Sequence, residues 1–356
     1  MSEISQPHII GGVNLYLTNL CNRRCPYCYA LDWITADAQS AHHMSLSSLD
    51  KVIDWMNQSS SSSRARVRMQ FRNVQLLGGE PMLHPDILGV VRKLTERGIA
   101  IRCILTNGLA DTELYEKVMA MTETSFLVNV TNPSTYTGEE WELLNRNLEL
   151  LMWKDEDRLI LDSLDRRSFL LQLAITFYEP KQEYRYIIDL AKKYNCIYLR
   201  YSSSKPSTDK SNRYNEFEKL IELKPTLLSF LKDCVQEGIK PTLECVLIPC
   251  IFTTREWIYL NHFSEYPKTI CQPNLEVMPD LSVECCMSTR GILRAYKVGS
   301  MNISEMMRLF YNNARKYRDY SLPRCKNCEI FKRKECQGYC LRLKADHVKK
   351  SWWSIF

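Results

Sequence analysis

The most chemically informative residues of this chain are three cysteines close together near its start. Cys21, Cys25 and Cys28 are separated by three and then two residues. Thiolates on so short a loop can bind three corners of a cubane iron–sulfur cluster. The next cysteine is Cys103, and a site meant for chemistry keeps one coordination position open, as catalytic zinc sites do. The spacing therefore predicts a 4Fe-4S cluster with one iron free for a substrate or cofactor.

A second set of cysteines lies in the last third of the chain. Its tight group is Cys325, Cys328, Cys336 and Cys340, and its looser upstream group is Cys245, Cys250, Cys271, Cys285 and Cys286. Four thiolates on one short segment can hold a structural zinc ion, which is one interpretation of the tight group. The remaining cysteines, Cys103, Cys196 and Cys234, fall in strand or helix patterns and are interpreted as small core residues.

Composition is that of an ordinary globular protein. Of the 356 residues, 45% are hydrophobic and 25% are charged, and the net charge of +6 is spread thinly. No apolar run approaches membrane-spanning length, and Met1–His8 lacks the order of a signal peptide. Fifteen cysteines without a secretion signal indicate a reducing, cytoplasmic compartment and metal ligation rather than disulfides. We therefore expect neither a membrane nor a nucleic-acid partner.

The elements that must position the first cysteine loop alternate between strand and helix patterns. The predicted strands are Val13–Leu17, Asn73–Leu77, Ile101–Leu105, Phe126–Val130, Leu170–Phe177 and Ile197–Tyr201. The predicted helices are Leu46–Asn57, Asp86–Arg97, Asp111–Met121, Glu139–Met152, Glu183–Tyr194 and Glu216–Glu237. This alternation implies a parallel sheet with right-handed crossovers. Six strands fall short of the eight of a full barrel, so we predict an α/β fold, a partial (β/α)6 TIM-like barrel.

Polar motifs follow several of the predicted strands. The cysteine loop follows the first strand, Gly78-Gly79-Glu80 the second and Thr106-Asn107-Gly108 the third, while Arg200–Ser204 ends the sixth. Carboxyl ends of parallel strands share one rim of a sheet, where ligands bind. We therefore expect these motifs to converge on one site.

The chain divides into three predicted parts. Residues 1–12 form an N-terminal arm, residues 13–240 the barrel and residues 241–356 a small cysteine-rich domain. The boundary rests on the change after Gly238, where strands become short and cysteines frequent. Ser59–Ser63 reads as a low-complexity external loop, and Asp155–Arg167 as a charged surface insertion or lid.

The cysteine loop, with Tyr27 before its last cysteine, resembles the cluster loop of the radical S-adenosylmethionine (radical SAM) superfamily. A zinc knuckle, the alternative, needs a fourth ligand and does not predict Gly78-Gly79-Glu80 after the next strand. The resemblance implies that the open iron binds SAM and that the reduced cluster cleaves it to a 5′-deoxyadenosyl radical, which abstracts hydrogen from a substrate. It also implies that the segment from Gly78 to Glu80 contacts the SAM amine, with Glu80 as acceptor and the glycines allowing close backbone approach.

Other cofactor contacts follow from the same resemblance. Arg200 is placed to pair with the SAM carboxylate, although an exposed structural arginine is an equal alternative. Asn129 and Thr176, near the ends of the fourth and fifth strands, are expected to meet ribose hydroxyls. Tyr27 is expected to present backbone groups to adenine while its ring packs near the cluster.

The region from Cys245 onward resembles the SPASM domain, a C-terminal extension that holds auxiliary 4Fe-4S clusters. Here the spacer after Cys328 is seven residues, longer than typical, and the final cysteine expected after Cys340 is absent. Two ligand schemes stay open, with one or two auxiliary clusters. In the first, Cys340 joins the cluster of Cys271 and Cys285 or Cys286, and Asp346 or His347 replaces the missing ligand beside Cys325, Cys328 and Cys336. In the second, Cys325, Cys328, Cys336 and Cys340 close one cluster, and Cys250, Cys271 and Cys285 or Cys286, with or without Cys245, hold another.

The resemblance implies an oxidoreductase that modifies or crosslinks a ribosomally made peptide or protein. A small-molecule dehydrogenase or epimerase acting on a sugar or aminocyclitol is the alternative, and a non-enzymatic electron-transfer protein is a third. An external electron donor such as flavodoxin or ferredoxin is expected. Because only about twelve residues precede the first strand, we expect a peptide leader to be bound by a separate protein or by the barrel itself.

Overall fold

One ten-stranded sheet runs through the chain in a computed structural model that describes residues 12–61, 71–152, 171–264, 269–272 and 274–353. Its strands, in chain order, are β1 (Val13–Tyr16), β2 (Asn73–Leu77), β3 (Ala100–Thr106), β4 (Ser125–Asn129), β5 (Leu171–Phe177), β6 (Tyr198–Ser203), β7 (Lys240–Leu243), β8 (Leu275–Val277), β9 (Ser282–Glu284) and β10 (Tyr296–Lys297). The spatial order is β10-β9-β8-β1-β2-β3-β4-β5-β6-β7. All neighbours from β8 to β7 are parallel, whereas β9 and β10 are antiparallel additions at one edge.

Helices connect most of the parallel strands. They are α1 (Leu46–Ser61), α2 (Ile87–Glu96), α3 (Thr112–Met121), α4 (Gly138–Leu151), α5 (Arg185–Lys193), α6 (Phe217–Gln236), α7 (Thr254–Phe263), α8 (Ile303–Asp319), α9 (Glu329–Lys332) and α10 (Leu341–Trp353). The strands are mainly apolar because parallel strands are buried on both faces. Phe230 of α6, for example, is fully buried, with its ring centroid 5.2 Å from that of Phe177 on β5 and 5.6 Å from that of Tyr201 on β6.

The six predicted strands and the six predicted helices are all present, and the α/β class with an open parallel sheet is confirmed. Two further parallel strands were not predicted. β7 has the sequence Lys-Pro-Thr-Leu and β8 the sequence Leu-Glu-Val. Each contains a residue that is uncommon in strands, a proline or a glutamate, and each is too short to show an alternation of apolar and polar residues. Tertiary pairing with β6 and β1 decides their conformation.

The predicted boundary near residue 240 falls at the start of β7, inside the sheet. β7 continues the sheet beyond β6, and β8 returns to the other end and pairs with β1. The sheet therefore crosses the predicted boundary, and the division into a barrel and a separate small domain stays a prediction.

The structure describes part of one predicted surface segment, Ser59–Ser63, and none of the other, Asp155–Arg167. The expected loop at Ser59–Ser63 is wrong for its first three residues, because α1 continues to Ser61. Ser59 is buried there, and its hydroxyl accepts a hydrogen bond of 3.0 Å from the Ile303 amide of α8. The segment Asp155–Arg167 and most of the N-terminal arm lie outside the described residues. Among the helices of the described ranges, none has the length and apolarity needed to cross a membrane.

Candidate functional site

The three N-terminal cysteines lie on one loop directly after β1. The Cys21 amide donates to the Thr35 carbonyl at 2.8 Å, and the Cys28 amide donates to the Cys25 carbonyl at 3.0 Å, which closes a turn around the last two thiols. Cys21 is buried, and Cys25 and Cys28 are half-buried. The loop thus presents three thiols from a backbone fixed by its own hydrogen bonds.

Burial dominates the chemistry of these thiols. It raises the pKa of Cys21 and of Cys28 to about 12, and it raises the pKa of Cys25, where the Arg23 guanidinium acts in the opposite direction. A buried thiolate is costly without a positive partner. Iron supplies that charge, so the thiols fit an iron–sulfur cluster as ligands that lose their protons when the metal binds.

Gly78 and Gly79 bring the turn after β2 into direct contact with this loop. The Gly79 amide donates to the Thr18 carbonyl and the Glu80 amide donates to the Leu20 carbonyl, each at 2.7 Å. A Cβ on Gly79 would lie 2.4 Å from the Leu20 oxygen, and one on Gly78 would lie 2.5 Å from the Thr18 oxygen. The close approach expected at these glycines is therefore made by protein backbone, and their contact with a cofactor stays a prediction.

Glu80 is almost fully buried, with 1% of its surface exposed. Its carboxylate accepts hydrogen bonds from the Thr106 hydroxyl at 2.7 Å, the Asn107 amide at 2.6 Å and the Met82 amide at 3.1 Å. Burial raises the pKa of Glu80 to about 7, against the effect of these donors. A carboxylate has about four acceptor positions, so one is left for a further donor such as an ammonium group.

The side chains of Asn129 and Tyr27 contact each other. The Asn129 amide nitrogen donates to the Tyr27 hydroxyl at 3.1 Å, and the Tyr27 ring stacks on Tyr178 with centroids 5.2 Å apart. Asn129 Oδ1 is buried and accepts no hydrogen bond from the described residues. The Tyr27 carbonyl, one of the backbone groups expected to face adenine, accepts a hydrogen bond of 3.1 Å from the Asn212 side chain.

The other two predicted cofactor contacts lie on β5 and β6. Thr176 is half-buried, with its hydroxyl 3.3 Å from that of Ser202. Arg200 was expected at the end of the sixth strand, but β6 continues to Ser203, so Arg200 lies within the strand. Its guanidinium forms an ion pair with Glu244, which follows β7.

The C-terminal cysteines separate into two groups. The cavity cysteines are Cys250, Cys325, Cys328 and Cys336, which line one small cavity. The second group consists of Cys245, Cys271, Cys286 and Cys340. Burial, followed by the neighbouring thiols of Cys340 and Cys245, raises the pKa of Cys271 to about 12. Burial, then the Glu276 carboxyl and the thiols of Cys340 and Cys245, raises the pKa of Cys286.

Cys340 therefore lies with the upstream cysteines, as in the first predicted ligand scheme. Cys285, the alternative to Cys286, is buried, and its pKa is raised to about 12 by burial and then by Glu276 and Cys271. Within the described residues, no three His, Cys, Asp or Glu side chains converge closely enough for a single metal ion. In a cubane cluster each cysteine binds a different iron, so cluster ligands stand further apart than the ligands of one ion.

Comparison with known proteins agrees with this geometry. The profile of the radical SAM superfamily matches residues 15–147, which include the first cysteine loop and the segment from Gly78 to Glu80. The chain carries a radical SAM domain. Two curated relatives are GTP 3′,8-cyclases, from Peptoclostridium acidaminophilum (30% identical over 114 residues, 31% of each chain) and from Chlorobaculum tepidum (37% over 99 residues, 27% of this chain and 26% of the relative). The matched segment thus spans less than a third of these two relatives.

Two solved structures resemble most of the chain. SuiB of Streptococcus suis, crystallised with S-adenosylmethionine, has a TM-score of 0.61 at 14% identity and covers 92% of this chain and 72% of its own. The anSMEcpe structure with AdoMet and the Cp18Cys peptide has a TM-score of 0.56 at 16% identity and covers 93% and 89%. At these identities the likeness shows the fold, which extends beyond the radical SAM domain into the cysteine-rich region.

Arg23 is a residue of the radical SAM domain that the sequence analysis missed. Its guanidinium donates to the Thr131 hydroxyl, the Thr135 hydroxyl and carbonyl, and the Glu140 carboxylate at 3.0 to 3.2 Å. It also lies 4.2 Å from the centroid of the Tyr136 ring. Arg23 thus ties the cysteine loop to the connection between β4 and α4. Its position between Cys21 and Cys25 is the only signal that the sequence offers.

Glu276 is a second missed residue, on β8 beside β1. It is 5% exposed, and its Oε2 has no hydrogen-bond partner in the described part of the chain. Burial raises its pKa to about 8. The nearby hydroxyls of Tyr16 and Tyr29 are 3.2 Å apart. A glutamate inside an apolar triplet was the available signal, but its burial depends on the pairing of β8 with β1.

Proposed function

We propose that this chain is a radical SAM enzyme that binds a 4Fe-4S cluster on Cys21, Cys25 and Cys28 and uses SAM to take hydrogen from a peptide or protein substrate. The observation that carries the proposal is the contact between the cysteine loop and the Gly78–Glu80 turn. Two backbone hydrogen bonds of 2.7 Å hold the two motifs together at the carboxyl ends of β1 and β2. Three clustered thiols and a buried carboxylate thus share one rim of the sheet.

The chain's own residues fit the cofactors. The three thiols would hold three irons of the cluster, and the fourth iron would stay open for SAM. Glu80 has one remaining acceptor for the SAM ammonium group, and the unpartnered Asn129 Oδ1 is suited to a ribose hydroxyl. Thr176 is a further candidate for the ribose. Cluster and SAM together supply a carbon radical, which is chemistry that no side chain provides.

Arg200 has a narrower role in this proposal. Its ion pair with Glu244 occupies part of the guanidinium, which carries five donors. The remaining donors of Arg200 are available to bind the SAM carboxylate. In the alternative, Arg200 is a structural residue whose ion pair with Glu244 is its whole role. Tyr27, stacked on Tyr178 and bonded to Asn129, orients the last cysteine of the loop and helps to exclude water.

A peptide substrate is supported by the fold neighbours. SuiB has been crystallised with the precursor peptide SuiA, and anSMEcpe with the Cp18Cys peptide. The second cysteine set supports an auxiliary SPASM-like region, which would accept an electron from the substrate or shape its pocket. We retain an external flavodoxin or ferredoxin as electron donor and a separate leader-binding protein as partners.

A small-molecule substrate is the second candidate, because the curated relatives are named GTP 3′,8-cyclases. Their similarity covers 31% or less of each relative in these two cases. A match over so small a share of each relative gives little support for a shared substrate. We therefore place the sugar-type or nucleotide-type substrate behind the peptide.

The test is SAM cleavage by the anaerobically reconstituted chain. We expect 5′-deoxyadenosine from the wild type and none from Cys25→Ala, while Cys196→Ala, a buried cysteine that precedes β6 and lies apart from the candidate cofactor contacts, keeps the activity. Deuterium transfer from a labelled candidate peptide into 5′-deoxyadenosine would identify the substrate class. A wild type that carries its cluster and still fails to cleave SAM would contradict the proposal.

A further inference from the structure

The cavity cysteines come from two distant parts of the chain. Cys250 lies in the turn Pro249–Ile251 after β7, whereas Cys325, Cys328 and Cys336 surround the short helix α9. All four line the same cavity. Cys325 and Cys336 are buried, Cys328 is half-buried, and Cys250 is exposed as a residue. The wall between the thiols is apolar and includes Phe217, Ile248 and Phe331.

The backbone around this cavity lies close to the cysteine sulfur atoms. The Gly338 amide donates to the Cys336 thiol at 3.3 Å. Gly338 has a φ of +79°, and a Cβ there would lie 3.1 Å from the Cys325 sulfur. Only glycine adopts this conformation at low cost. The Cys328 amide donates to the Cys325 carbonyl at 3.1 Å, so both thiols belong to one tight turn.

The lining of the cavity separates Cys250 from the second group. Among the described residues, it contains Cys250, Cys325, Cys328 and Cys336 but neither Cys271 nor Cys340. Asp346, the sequence-based replacement ligand, is held by ion pairs with Lys210 and Arg342.

We propose that Cys250 is the fourth ligand of an auxiliary 4Fe-4S cluster in this cavity, together with Cys325, Cys328 and Cys336. The proposal rests on the proposed function, because it assumes an iron–sulfur protein. It places the missing ligand upstream of the other three rather than after Cys340, and it separates Cys250 from Cys271. Each iron then has a protein ligand, so this cluster has no open position for substrate. Its role is electron transfer or support of the fold.

Iron and sulfide content and the EPR spectrum of the reduced protein test this assignment without relying on activity. In a background that lacks the first cluster (Cys21→Ala, Cys25→Ala and Cys28→Ala together), only auxiliary clusters contribute. We expect Cys250→Ala to lose about one to four irons per chain, four being one whole cubane, and to change one EPR signal. Asp346→Asn and His347→Ala should keep the iron and the signals of the background. Cys250→Ser provides a less disruptive variant if Cys250→Ala folds poorly.

Double variants show which cluster Cys250 serves. Cys250→Ala combined with Cys328→Ala should lose no more iron than Cys328→Ala alone, because both act on one cluster. Combined with Cys271→Ala, it should lose iron from two clusters. The reverse pattern, or background iron and EPR spectra in both Cys250 variants, would overturn the assignment. Failure of the otherwise wild-type chain to cleave SAM, with the expected iron pattern intact, would count against the proposed function and leave the assignment supported.

Discussion

At the scale of single residues, Glu80 shows how a charged side chain serves the site from the interior. Its carboxylate joins the turn after β2 to the end of β3 through Thr106 and Asn107. Three donors point at it, yet burial keeps its pKa near 7. The protonated form is therefore favoured in the folded chain compared with the unfolded chain, in which the pKa is about 4.3.

This shift predicts a pH dependence of stability. Because the folded chain binds the proton more tightly, the contribution of Glu80 to the free energy of unfolding is fully present below the unfolded pKa and is lost as pH rises through about 7. At about 1.4 kcal/mol per pKa unit, the change between pH 4 and pH 8 is at most about 3 to 4 kcal/mol. We expect Glu80→Gln to remove this component from urea-unfolding curves of the cluster-free chain.

The matched control is Glu139→Gln, since Glu139 is exposed on α4. The difference in unfolding free energy between this variant and the wild type should not vary with pH. If Glu80→Gln behaved in the same way as Glu139→Gln, the Glu80 carboxyl would not be stabilised in its protonated form.

At the scale of elements, the cysteine loop is positioned by its neighbours. The turn after β2 contacts the loop through the close backbone approach at Gly78 and Gly79. Arg23 links the loop to Glu140 at the start of α4. Glu140 also forms the capping box of α4 with Thr137. Arg24 holds the far end of the loop through the Ile34 carbonyl at 2.7 Å. The geometry of the three thiols thus depends on contacts with β2 and α4 as well as on the loop sequence.

Gly79→Ala tests the contact with β2. The added Cβ would lie 2.4 Å from the Leu20 oxygen and 2.7 Å from the Leu20 carbonyl carbon, and both are backbone atoms. We expect a loss of about 2 to 3 kcal/mol in the free energy of unfolding and lower iron incorporation at Cys21, Cys25 and Cys28. Denaturant unfolding and iron analysis measure the two effects.

Gly138→Ala is the matched control, because a Cβ at Gly138 meets no atom within 4 Å and the residue begins α4. It should stay within about 0.5 kcal/mol of the wild type or gain stability. Equal stability and iron content in the two variants would show that the loop does not need the close contact at Gly79.

At the scale of the whole molecule, the cysteine-rich region is built into the sheet. β8 pairs with β1, the strand that leads into the cysteine loop. The Trp55 indole of α1 donates to the Met301 carbonyl at 2.6 Å, directly before α8. The cavity cysteines and the radical SAM domain therefore belong to one continuous structure across residue 240.

A chain truncated after Ser264 tests this continuity. It keeps β1 to β7 but exposes the edge of β1, with its unpaired backbone groups, and uncovers Val13 and Leu15, which are fully buried in the whole chain. We expect aggregation or loss of cooperative unfolding, measured by gel filtration and circular dichroism. A monomeric truncated chain that unfolds cooperatively and binds iron at its three cysteines would instead support an independent barrel.

Local spacing in the sequence determined the features that lie within one segment. The three cysteines, the Gly78–Glu80 turn and the alternation of strands and helices were predicted because each is a short-range pattern of residue types. The tertiary structure decided what meets across long separations: β8 beside β1, Arg200 with Glu244, and Cys250 in one cavity with Cys325, Cys328 and Cys336. The physical reason is that chain topology and burial bring such residues together, and spacing along the sequence carries no record of which distant thiols share a cavity.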